Sequence, residues 1–264
     1  MIPARRASWI LLLLSACFHP TYDRPACGPN GECPRGLLCS AQQRCEAPGA
    51  DLPDAGSDPI DALTTACASR TLYLNFEGQK LTQGPSDATL NQASWMQVGS
   101  GTVPRYLASN TMRATTIQTI TDGIRAQLSQ FPINVVTTRP ASGNYVMIVF
   151  GGQAPQVGSA FGSANNQLDC GDLRPNDVAW ISDNLAPTQR VINTAVGAIG
   201  FGLGLTGTLD QNDCMCGWDN GCGLNNNTAC TLGSPISRDP NANQRCAGLT
   251  TQDEAATFHK AFCE

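Results

Sequence analysis

Histidine is almost absent from this chain of 264 residues, which has two, His19 and His259. The scarcity bears on hydrolysis, because imidazole is the side chain most often used as a general base or as a metal ligand. Long apolar runs are missing too, and no segment approaches the roughly 20 apolar residues that cross a bilayer as a helix. Lysine and arginine form no stripe or cluster, which leaves no electrostatic footprint for nucleic acid or for a polybasic membrane patch. No internal repeat is visible.

What is present begins with an export pattern. Arg5 and Arg6 precede an apolar run over residues 7–14 (ASWILLLL), too short to span and suited to a signal peptide. The run closes on Leu14, Ser15, Ala16 and Cys17, which resembles the lipobox of bacterial lipoproteins. The resemblance implies loss of residues 1–16 and lipidation of Cys17, leaving 17–26 as the lipidated N-terminus. Membrane attachment would then use two or three acyl chains, since one chain anchors only marginally. An ordinary secretory signal with an incidental cysteine is the alternative. Phe18 stands where some lipoproteins carry an inner-membrane aspartate, so the outer membrane is the preferred address.

The cysteine count fits that compartment. Of 13 cysteines, giving Cys17 to lipid leaves 12, an even number suited to disulfides in an oxidising environment. They are Cys27, Cys33, Cys39, Cys45, Cys67, Cys170, Cys214, Cys216, Cys222, Cys230, Cys246 and Cys263. The first four punctuate residues 27–45 with five residues between neighbours. So short a module cannot bury a core, and disulfides rather than a zinc knuckle are expected to staple it. The next stretch, 46–66, carries Glu46, Asp51, Asp54, Asp58 and Asp61 without a single Lys or Arg. It reads as a flexible, self-repelling tether. Cleavage of the signal removes two arginines and takes the formal charge from −5 to −7.

Residues 67–264 can form one core. Alternation over 70–76 (RTLYLNF) predicts a strand, and Ile117, Ile120, Ile124, Leu128 and Phe131 predict an amphipathic helix over 113–131. Strands are expected over 133–138, 145–150 (YVMIVF) and 177–182, and a second helix over 188–205. Thr251 with Glu254 reads as a capping box for a last helix through Phe262. This order gives an α+β or α/β domain.

Residues 197–207 (GAIGFGLGLTG) carry the main chemical signal, and it is a deficit. Aligned on Gly204, the segment resembles the H-E-x-x-H-x-x-G-x-x-H zinc helix of the metzincin proteases, with every working residue replaced. Gly197, Phe201 and Gly207 stand at the three histidine positions and Ala198 at the glutamate position. Met215 follows at the distance of the family's Met-turn, and TLYLNFEG, YVMIVFGG and LDCGD resemble parts of bacterial lipoproteins with an intact zinc helix. The resemblance implies a mixed twisted sheet with a long helix and a degenerate site helix, and a cleft that holds extended peptide. Glycine and alanine can neither bind zinc nor take a proton from water, so no catalytic residue, metal or cofactor is expected. An unrelated small-residue helix or a glycine-rich loop is the alternative reading of the segment.

Other constellations add little. Cys214, Cys216, Cys222 and Cys230 could suggest zinc or redox chemistry, but a disulfide-laced loop suits an exported protein. A serine mechanism lacks a base, because His259 reads as a solvated residue on the last helix. The expected partners are the membrane through Cys17 and a peptide or envelope protein, with no nucleic acid. An active hydrolase using other residues and a structural surface protein are the alternatives.

Overall fold

The computed structural model describes residues 70–219, 221–242 and 245–263, together with Cys27, Cys33, 38–39 and 45–46. Cys17, Cys67 and nearly all of the acidic stretch lie outside the described residues, as does the side chain of Cys263. The chain divides into two units, 1–63 and 64–264. In the first, β1 (Leu38–Cys39) pairs antiparallel with β2 (Cys45–Glu46). Disulfides Cys27–Cys39 and Cys33–Cys45 interleave across this hairpin. Their sulfurs are spent on each other, so the cluster has no thiolate to offer a metal.

The second unit is mixed α/β. Its strands are β3 (Thr71–Asn75), β4 (Gln79–Gln83), β5 (Gln92–Ala93), β6 (Ser100–Val103), β7 (Asn134–Val136), β8 (Tyr145–Phe150), β9 (Ala164–Asn165) and β10 (Val178–Ile181). Helix α1 (Arg113–Gln127) precedes β7, and the short α2 (Ala154–Val157) precedes β9. Helix α3 (Thr188–Gly202) follows β10, and β11 (Ile236–Ser237), β12 (Thr251–Gln252) and α4 (Glu254–Cys263) close the chain. The main sheet runs β7-β3-β8-β10-β9, parallel except for β9, which pairs antiparallel with β10.

Both faces of this sheet are covered, which is why β8 and β10 are buried at every residue. Leu72, Leu74, Val146, Ile148 and Phe150 face α1 and α3. Tyr73, Met147, Val149 and Trp180 face the other way, against Leu81 and Val103 of a second small sheet ordered β5-β4-β6 and against Trp95 and Met96, which follow β5. The Trp95 indole seals this layer by donating to the Val178 carbonyl at 2.7 Å. On the helical face, a Cβ at Gly123 would collide with the tip of Ile192, so the glycine lets α1 and α3 approach closely.

The strand and helix expectations hold at the level of element and type, with ends trimmed by a few residues. Helix α1 stops at Gln127 and not at Phe131, though Leu128 and Phe131 remain buried. The β5-β4-β6 sheet, α2, β9 and the β11-β12 pair were not anticipated. One reading is corrected. Thr251 lies in β12, and the cap of α4 is Asp253, whose Oδ1 accepts from the Ala256 amide at 2.8 Å. Glu254 turns inward instead, accepting from the Gly233 amide at 2.8 Å.

Candidate functional site

Helix α3 carries an apolar face onto the sheet, where Val191, Ile192, Ala195, Val196, Ala198 and Ile199 are buried. It ends at Gly202 with Leu203 as its cap, and the chain reverses at Gly204 with φ +92°. A side chain there would be strained by that φ, and its Cβ would sit 2.8 Å from the Asp169 carbonyl oxygen. Gly204 is therefore required by the turn itself.

The face turned away from the sheet reads Arg190, Thr194, Gly197, Phe201, at spacings of four, three and four. Arg190, Thr194 and Phe201 line a groove of about 780 Å³. Its opposite bank is the segment from Phe161 to Asn166, which contains β9, and its end wall is the Cys216–Cys222 loop. No strand pairs with the outer edge of β9 among the described residues.

Trp218 decides what the groove can do. A Cβ on Gly197 would collide with the indole Nε1 of Trp218 and with the Cys214 carbonyl oxygen. The same indole lies over the Phe201 ring, with centroids 5.1 Å apart and planes inclined by 31°. An aromatic pair thus fills the space off Gly197 and Phe201, the first two of the three positions aligned above. The third, Gly207, is buried, and its carbonyl accepts from the Asp239 amide at 2.7 Å. Ala198 is fully buried, and its carbonyl accepts from Asn166 Nδ2 at 2.8 Å. Met215 is fully buried below α3, and a Cβ on Gly200 would lie 2.7 Å from its sulfur. Glycine, phenylalanine and glycine offer no donor side chain here, so these residues do not fit a catalytic zinc.

The wall is fastened independently. Cys216–Cys222 closes a ring around Trp218, and Cys214–Cys230 anchors the base of the loop. Asp219, at φ +67°, accepts from Arg245 at 2.8 Å, and burial raises its carboxyl above the usual range. Cys170–Cys246 ties the turn beside Gly204 to the segment that carries Arg245. The cysteine cluster after the helix is thus a disulfide-laced loop, as expected.

Beneath the loop, Asp213 Oδ1 accepts from Thr208 Oγ1 at 2.9 Å and from the Met215 amide at 2.8 Å. Its Oδ2 faces the Glu254 carboxyl and has no other partner. A proton held between the two carboxyls would satisfy both groups. Burial, then the Asp213 charge, pushes the Glu254 carboxyl up to about 9. His259 is exposed on α4, edge-on to Phe131 at 5.1 Å, and it is not among the residues lining the groove. The sequence reading missed Trp218, Arg190 and β9. The stripe at 190, 194, 197 and 201 was the one available signal.

No protein-family model matches the chain, and no curated protein is significantly similar to it in sequence. Among solved structures, archaemetzincin from Methanopyrus kandleri is similar over 56% of this chain and 81% of that one, with 14% identity and a TM-score of 0.29. That likeness is slight.

Proposed function

We propose that the second unit binds an extended peptide segment, of a peptide or an envelope protein, without cleaving it. The carrying observation is the groove itself. One bank is the unpaired edge of β9, which offers backbone hydrogen bonds to an added strand. The floor, where hydrolytic groups would be needed, is the tilted aromatic pair of Phe201 and Trp218. The five disulfides among the described residues support an oxidising compartment, and with the sequence of residues 5–17 they support a lipid-anchored cell-envelope protein.

Hydrogen exchange tests the binding reading. A degenerate decapeptide pool should slow amide exchange at 163–166 and around Trp218, and protection elsewhere or nowhere would overturn the assignment. Casein should survive incubation with the zinc-supplemented protein. Stoichiometric zinc or chelator-sensitive cleavage would sink the non-catalytic half. Palmitate labelling that persists in Cys17→Ser would remove the anchor.

A further inference from the structure

We propose that this groove selects peptides bearing a carboxylate, which Arg190 holds while an apolar side chain rests on the Phe161–Trp218 surface. The proposal rests on the peptide-binding reading above. Three charged residues line the groove: Arg190, Arg245 and Asp219. Arg245 and Asp219 neutralise each other at 2.8 Å. Arg190 is exposed at the first turn of α3, and its guanidinium has no ion pair or hydrogen bond among the described residues. The groove therefore carries one uncompensated positive charge on a chain whose formal charge is −5.

A guanidinium presents paired donors that match a carboxylate in a bidentate fork. The apolar end is equally defined. Phe161 is 64% exposed on one bank, and Trp218 is half-buried facing the same groove. Arg190 and Phe201 are eleven residues apart on one helical face, about 16 Å at 1.5 Å per residue. An extended chain covers that distance in about five residues. The ligand is thus an extended segment with its carboxylate about five residues from an apolar side chain. That carboxylate comes from Asp or Glu, or from the peptide's own C-terminus.

Fluorescence anisotropy of the purified full chain against labelled decapeptide pools separates these sources. The pools fix Leu or Phe at one position and place Asp/Glu or Asn/Gln five residues away, each as the C-terminal acid and as the amide. Acid-bearing pools should bind at least tenfold more tightly than the fully neutral pool. Arg190→Glu should erase that margin and Arg190→Lys should keep part of it, with the melting temperature unchanged. A preference that follows only the free C-terminus assigns the carboxylate to the terminus.

Equal binding of acidic and neutral pools, or an Arg190→Glu chain that keeps the margin, overturns this inference and leaves peptide binding intact. Failure of every pool overturns both. Saturable binding of chitohexaose that competes with the peptides, or self-association abolished by Phe161→Ser, would give the groove another occupant and also overturn it.

Discussion

The Trp218 indole occupies the space into which a side chain on Gly197 would have to grow. A glycine in a helix interior costs about 1 kcal/mol relative to alanine, so propensity alone favours Gly197→Ala. Overpacking opposes it by about 1–3 kcal/mol. The Cys214 carbonyl is backbone held by a disulfide and cannot swing aside. Gly197→Ala should therefore lower the melting temperature, also in a Trp218→Ala background, and Gly197→His should be worse. An alanine variant that melts at or above the parent would show that the loop yields.

The disulfides of the second unit should differ in worth according to the loop each closes. Cys170–Cys246 spans 76 residues, Cys214–Cys230 spans 16 and Cys216–Cys222 spans 6. Chain entropy assigns them about 4.5, 3 and 2 kcal/mol respectively. Paired Cys→Ser variants should lose stability in that order in urea titrations, while a chelator changes nothing. A chelator effect comparable to that of a reductant would point to a metal in place of the staples.

Stability should fall as pH rises from about 5 to about 9. The Glu254 carboxyl is raised to about 9 and Asp177 to about 8, both chiefly by burial. In that window the folded chain retains protons that the unfolded chain, with ordinary carboxylates, has released. Unfolding is then favoured by each added pH unit, by at most about 1.4 kcal/mol per retained proton. Asp213→Asn keeps both Oδ1 acceptor bonds and gives Glu254 a donor, so its denaturation midpoint should depend less on pH than the parent's. Parallel pH curves for the two proteins would refute the shared proton.

Parts of this architecture could be read from the residues and parts could not. YVMIVF is apolar at every position because both sheet faces are covered, and the spacing of Ile117, Ile120 and Ile124 follows from one buried helix face. β9 left no trace, since two residues, Ala164 and Asn165, have no periodicity. The Thr251–Glu254 pattern misled because spacing cannot show that Glu254 is drawn inward by Gly233 and Asp213. That residues 197, 201 and 207 carry no donor side chain was plain from the letters. What fills the space was not, because Trp218 reaches Gly197 only through the pairing of cysteines that the sequence leaves open.

The small ring closed by Cys216–Cys222 has a kinetic corollary. A loop tied by a disulfide has fewer conformations open to it than a free one, so the ligand proposed above would forfeit less conformational entropy on that side of the encounter. Association should then proceed as between preorganised surfaces, and differences among ligands should be expressed in how long they stay.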